Sequence, residues 1–285
     1  MPSEPQPRAS LPPPGTVMGD RYRLERLLAE GGMGAVYEAT DTRTDVKVAL
    51  KLLHPELTQE RDVRRRFRRE ASVLKALDHP CVVDVLDVGT SDHELLYSVM
   101  ELLEGETLAE LVAREGALSP QDLLPIVEGI ADGLGAAHEH GVIHGDLKPA
   151  NVFLEAPARH VKILDFGLSK ILGLERLTRT GELIGTPAYM APELLTGKGE
   201  LDERIDTYAF GVMIYQCLAG EAPFTGSNPG KLMMDIVMGE VQPLAQAAPG
   251  VSEVMSAVVM TAMSRQRERR FHSARALVRA FRDAA

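Results

Sequence analysis

The stretch GVIHGDLKPANVFL, residues 141–154, sets three side chains for chemistry at short spacings. Asp146 precedes Lys148 by two residues and Asn151 by five. Fourteen residues beyond Asn151 stands Asp165, in ILDFG. NVFL and VKILD read as two short strands joined by a turn at Ala156, Pro157 and Ala158, so a hairpin brings Asn151 and Asp165 toward each other. Both offer hard oxygen atoms, which suit Mg²⁺ carrying phosphates. Asp146 is placed to accept a proton from an attacking hydroxyl, or to orient it. Lys148 is placed to neutralise charge on a phosphoryl group in transfer. Together the four fit in-line phosphoryl transfer. Taken singly, Asp and Asn are also common turn formers.

Working outward, SPQDLLPIVEGIADGLGAAHEHG predicts a helix with Ser119 as N-cap, Pro120 at its first position and Gly141 past its end. Pro125 lies beyond the first turn, where proline kinks a helix. DTYAFGVMIYQCLAG, 206–220, is apolar nearly all round, which describes a buried helix closed by Gly220. Two further helices are predicted near 251–264 and 273–283. Upstream, from Arg21 to about Met100, the pattern is mostly strands with one helix. A strand-rich lobe followed by a helix-rich lobe predicts an α+β protein with a cleft between them.

Two features of the strand-rich part bear on binding. LLAEGGMGAVYEA places glycines at 31, 32 and 34 before a strand rather than a helix, which excludes a dinucleotide fold. The segment is compatible with an ordinary glycine hairpin and with a flap whose bare N–H groups lie over phosphates. In VKVALKLL, residues 46, 48, 50 and 52 face one way and Lys47, Ala49, Lys51 and Leu53 the other. Small Ala49 leaves room for a flat ring near Lys51. The next helix has apolar residues at Val63, Phe67, Leu74 and Leu77, and its stripe passes through Glu70. Glu70 either pairs with Lys51 across strand and helix or stays solvated at the stripe's edge. The six arginines of that helix read as a solvated basic face.

The bulk properties narrow the class. The chain has 285 residues and a formal net charge of −10, which argues against general nucleic-acid binding. Its two cysteines, Cys81 and Cys217, sit in apolar contexts and read as buried thiols of a reducing compartment. No run approaches the roughly 18 apolar residues needed to span a bilayer. MPSEPQPRASLPPPG has six prolines and no apolar core, so residues 1–20 are expected to form an extended, solvated tail rather than a signal peptide. A cytoplasmic location follows as an expectation.

With GGMGAVY, VALK, Glu70, HGDLKPAN, DFG, GTPAYMAPE and DTYAFG in this order, the chain resembles the eukaryotic-like (Hanks-type) bacterial serine/threonine protein kinases from about Tyr22 to Phe281. The resemblance implies a bilobal α+β fold over 21–285, with a small β-rich N-lobe at about 21–100, a larger helical C-lobe at about 104–285, and an ATP cleft. It implies transfer of the γ-phosphoryl group of ATP to Ser or Thr of proteins, including the chain itself at Thr178 or Thr180. Gly31 and Gly34 then cover the phosphates, Leu28 joins the nucleotide site, and Val36 and Ala49 lie against adenine. Lys51 holds the α- and β-phosphates and pairs with Glu70. Met100 stands beside the adenine pocket, Glu101 to Leu103 form the hinge, and Phe153 forms the pocket floor. Asp146 is the catalytic base, Lys148 assists it, and Asn151 and Asp165 bind Mg²⁺, with Mn²⁺ an alternative ion. His144 and Phe166 join Leu74 in a packed spine. Glu193 and Arg270 form a buried ion pair, and Asp206 supports the catalytic loop. Thr186 in GTPAY marks the Ser/Thr subgroup.

The pattern breaks in two places. Ala29 stands where the family loop opens with glycine. Gly145 stands where the family commonly has an arginine that grips a phosphate on the activation loop. The first change bears on ATP affinity, the second on the link between loop phosphorylation and activity. An inactive nucleotide-sensing scaffold, the alternative reading, predicts loss of Lys51, Asp146, Asn151 or Asp165, and all four are present.

Overall fold

The computed structural model describes residues 11–31, 34–55, 61–91, 95–166, 187–197, 202–226 and 228–285. On the helix 61–76 several side chains, Glu70 among them, also lie outside the described residues. Thr178, Thr180 and Thr186 lie outside them as well. The chain divides into two compact units. One holds Met1–Ala76 and Asp84–Leu103, the other Leu77–Val83 and Glu104–Ala285.

The first unit is built on a six-stranded antiparallel sheet. Its strands are β1 (Val17–Met18), β2 (Tyr22–Gly31), β3 (Gly34–Asp41), β4 (Val46–Leu53), β5 (Val85–Thr90) and β6 (Leu96–Glu101), in the spatial order β1-β2-β3-β4-β6-β5. The period-two pattern decides which face becomes core. Val48, Leu50 and Leu52 of β4 cluster with Leu24, Ala35, Tyr37, Ala39, Tyr97 and Val99. Helix α1 (Arg61–Ala76) buries Phe67, Ala71 and Leu74, steps of four and three residues along one stripe. Glu38 of β3 is buried, and Lys47 and Arg26 bond it at 2.6 and 2.7 Å. The bond from Lys47 leads in holding its carboxyl below the ordinary range, against the effect of burial.

Residues 11–20 correct the expectation of a solvated tail over 1–20. Tyr37 Oη donates to the Pro12 carbonyl at 3.0 Å, and Leu11 packs against the apolar cluster. Gly15 N–H donates to Leu24 O at 2.7 Å, and Leu24 N–H to Thr16 O at 2.9 Å. Prolines lack the N–H but keep a carbonyl, so a proline-rich segment still serves a sheet edge as acceptor.

The second unit opens with Leu77–Val83, which joins it through backbone bonds. Val83 N–H donates to Ile163 O at 3.1 Å, and Ile163 N–H to Cys81 O at 2.9 Å. A continuous strand-rich lobe over 21–100 is thus interrupted by this segment. A three-stranded sheet follows, from β7 (Gly105–Thr107), β8 (Val152–Glu155) and β9 (His160–Ile163). The helices are α2 (Leu108–Glu115), α3 (Pro120–Glu139), α4 (Pro192–Thr196), α5 (Arg204–Ala219), α6 (Pro229–Met238), α7 (Leu244–Ala247), α8 (Glu253–Ala262) and α9 (Ala274–Ala284).

Helix α3 runs through Pro125 without ending, and its N-cap is Ser119. Its stop is a two-bond turn in which Gly141 N–H donates to His138 O and Val142 N–H to Ala137 O. Gly141 adopts the left-handed φ of 71° that this turn needs. Helix α5 is buried on nearly every side, as its all-round apolar pattern requires. Cys217 on it is fully buried, and burial pushes its thiol up to about 12. Both cysteines are free. Arg270 forks onto Glu193 with bonds of 2.6 and 2.8 Å, its side chain wholly buried beside Tyr208. Among the described residues no helix is long and apolar enough to cross a membrane.

Candidate active site

In the first unit, register settles which candidates share a face. Val36 lies opposite Lys51, Lys51 opposite Ser98, and Ala49 opposite Met100. Directly opposed residues point to the same side of a sheet, as do residues two apart on a strand. Val36, Ala49, Lys51 and Met100 therefore share the face opposite the apolar cluster of Val48, Leu50 and Leu52. Lys51 is 6% exposed there and Ala49 8%. Glu101, at the end of β6, accepts Asp84 N–H on its carboxylate at 2.9 Å, and Leu103 follows half-buried. Leu28 and Gly31 lie exposed on β2. Gly34 has no alternative, because a Cβ on it would stand 1.9 Å from Leu52 O on β4. The Glu70 side chain, and with it the Lys51–Glu70 pair, lies outside the described residues.

In the second unit, the end of α3 feeds directly into the loop 142–151. Asp206, wholly buried on α5, anchors that loop. Its Oδ2 accepts His144 N–H at 2.8 Å and bonds His138 Nε2 at 2.7 Å, and its Oδ1 accepts Gly145 N–H at 2.8 Å. Burial works to raise this carboxyl. The bonds from His138 and the Gly145 amide outweigh it and hold the group below its ordinary value. Gly145 takes a left-handed φ of 75°.

His144 is buried and tilted against Phe166, with ring centroids 4.7 Å apart. Its Nε2 lies 2.8 Å from Leu164 O, and Nδ1 accepts Asp146 N–H at 3.2 Å. A carbonyl only accepts, so the ring is the neutral tautomer with its hydrogen on Nε2.

Three chemistry-bearing residues of the loop converge, and the backbone leading to Asp165 is bonded to one of them. Lys148 Nζ donates to Asp146 Oδ2 at 2.7 Å. Asn151 Nδ2 donates to the Asp146 carbonyl at 2.8 Å and to Oδ2 at 3.2 Å. Leu164 N–H donates to Asn151 O at 2.9 Å, which sets Asp165 beside Asn151 at the open end of the β8–β9 hairpin. Asp165 has a φ of 58°, uncommon for a residue with a side chain. Phe153, half-buried, lies on β8 opposite Lys162 and Thr107.

These residues fit a divalent cation. Asn151 is 7% exposed, and its two donor bonds fix the amide. Among the described residues nothing donates to its Oδ1, leaving a buried oxygen with the chemistry of a hard-ion ligand. Among the described residues no three His, Cys, Asp or Glu side chains cluster as a metal site, and phosphate and water oxygens would complete the shell of a bound ion.

Sequence reading missed two histidines. His138 lies on the last turn of a helix and is marked by nothing but its neighbours in HEHGVIH. His54, one residue past β4, sits 2.9 Å from Gly31 O, a contact that no motif announces.

The fold and this loop define a protein kinase. The sequence profile of the protein kinase domain matches residues 22–281, and the chain belongs to that family. It is 38% identical over 275 residues to the serine/threonine-protein kinase pkn2 of Myxococcus xanthus, covering 94% of this chain and 33% of that protein. It is 38% identical over 261 residues to the serine/threonine-protein kinase PknB of Mycobacterium leprae, covering 90% of this chain and 42% of the relative. The crystal structure of the Mycobacterium tuberculosis PknI kinase domain matches with a TM-score of 0.78 at 27% identity, over 97% of this chain and all of that one. The chain thus spans 33% and 42% of the length of these two named relatives.

Proposed function

We propose that the chain is an ATP-dependent serine/threonine protein kinase whose domain occupies about residues 21–285. The observation that carries this reading is the shared engagement of Asp146 by Lys148 and Asn151, with Leu164, the residue before Asp165, bonded to the Asn151 carbonyl. Asp146 takes the proton as a Ser or Thr hydroxyl oxygen of the substrate bonds to the γ-phosphorus. The bond from that phosphorus to the β–γ bridging oxygen breaks, and ADP leaves. Lys148 neutralises charge on the phosphoryl group in flight. Asn151 and Asp165 would hold Mg²⁺, or Mn²⁺, which would offset charge on the phosphates. Lys51, with Glu70 as its partner, grips the α- and β-phosphates. Gly31 and Gly34 cover them, and on the first unit Leu28, Val36, Ala49, Met100, Glu101 and Leu103 line the base.

Protein, rather than a small alcohol, is the substrate this reading favours. Tyr189 and Met190, from GTPAYMAPE, line a recess together with Asp146 and Gly145. A platform of that kind suits a peptide backbone. A cytoplasmic location and self-modification at Thr178 or Thr180 belong to the same proposal. The test is incubation of the purified chain with γ-labelled ATP, Mg²⁺ and a general protein substrate. Label on phosphoserine or phosphothreonine supports the reading. Label on small alcohols alone, or none, overturns it.

A further inference from the structure

The tip of the β2–β3 hairpin meets β4 in two unlike ways. On the β3 side, Gly34 packs so closely that only a glycine fits against the Leu52 carbonyl. On the β2 side, Gly31 is exposed, and a Cβ there would meet nothing within 4 Å. Strand β2 is also irregular, with register shifts between Leu24 and Arg26 and between Leu27 and Ala29. Regular pairing resumes from Ala29 to Gly31, so the two sides of the tip differ in packing rather than in their ladder. Among the described residues, one side-chain contact crosses that open side. His54 Nε2, one residue beyond β4, lies 2.9 Å from Gly31 O. The carbonyl can only accept, so Nε2 donates.

We propose that His54 is a positioning residue that latches the glycine tip to β4 and thereby sets nucleotide affinity. The same strand carries Lys51, three residues earlier. One bond therefore ties the phosphate-covering tip to the strand that presents the ammonium. This rests on the reading above, in which the tip covers the phosphates. A single partly exposed hydrogen bond is worth a few-fold in an equilibrium constant, so the expected effect on affinity is roughly three- to tenfold.

The test compares wild type with His54→Phe, which keeps a ring and loses the donor, and His54→Gln, which keeps a donor. Amide exchange at Gly31 and Gly34 is followed without nucleotide. The Kd for ADP with Mg²⁺ and the kcat for a protein substrate are measured alongside. His54→Phe is expected to speed exchange at the tip and raise the Kd about three- to tenfold, with kcat little changed. His54→Gln is expected to restore both. Unchanged exchange and affinity in His54→Phe overturn the latch, as does His54→Gln behaving like His54→Phe. Faster exchange with unchanged affinity overturns the nucleotide role. A wild-type chain that binds no ADP, while exchange responds as expected, overturns the reading of the tip as a phosphate cover and not the contact itself.

Discussion

Asp206 Oδ1 accepts the backbone N–H of Gly145 at 2.8 Å, one residue before Asp146. A buried helix thus holds the loop that carries the candidate base. The same carboxylate takes His144 N–H and His138, so its two oxygens satisfy three donors. Asp206→Asn turns one acceptor into a donor and sets it against an N–H. The expected outcome is a fall in kcat of about ten- to a hundredfold, the loss of a charge-assisted bond, with nucleotide Kd little changed.

The acid limb of stability follows from the same group. Its folded pKa is depressed, so its stabilisation is present above the ordinary carboxylate range, near 3.9, and fades as pH falls through the folded value. Denaturant unfolding between pH 7 and 3 is expected to show a shallower acid loss in Asp206→Asn than in wild type. Parallel curves contradict this.

Arg270 and Glu193 form a bidentate pair with the guanidinium wholly buried. Removing one partner leaves a buried charge uncompensated, so Arg270→Ala is expected to destabilise by about 3–5 kcal/mol. Glu193→Ala with Arg270→Ala should cost less than the two single losses summed. Urea unfolding of the full cycle measures it.

The strand-rich and helical units, the helix stop at Gly141, the all-buried α5 and the contacts among Asp146, Lys148 and Asn151 were legible in the sequence. Each depends on local periodicity or on short spacings within one hairpin. What was not legible depends on contacts across long sequence distances. Residues 11–20 look solvated because their prolines suggest it, yet the partners of their carbonyls and amides are Tyr37 and Leu24. Leu77–Val83 leaves the strand-rich unit because Cys81 and Val83 bond to Ile163, far along the sequence. His138 and His54 bond groups that no spacing rule connects to them.

Deleting residues 1–16 removes the Pro12, Gly15 and Thr16 contacts to Tyr37 and Leu24. Against a chain lacking only 1–10, the expected loss is about 1–3 kcal/mol, a few hydrogen bonds, read as a lower thermal midpoint. Equal midpoints contradict the pinned segment.

Gly145 brings no guanidinium to an activation-loop phosphate, and its φ of 75° is one that glycine adopts freely. Activity is therefore expected to be largely independent of loop phosphate. Thr178→Ala with Thr180→Ala should keep kcat within about tenfold of wild type, the scale of a lost electrostatic contact. A loss beyond about a hundredfold contradicts it.

The central claim is that Asp146 serves phosphoryl transfer to a Ser or Thr hydroxyl. The measurement that bears on it most directly is transfer of γ-labelled phosphate from ATP by wild type and by Asp146→Asn, with ADP affinity measured for both. Wild type is expected to label robustly, Asp146→Asn to lose at least about a hundredfold, and the two to bind ADP with closely similar affinity. Undiminished labelling by Asp146→Asn, or none by a wild-type chain that is folded and supplied with Mg²⁺, contradicts it.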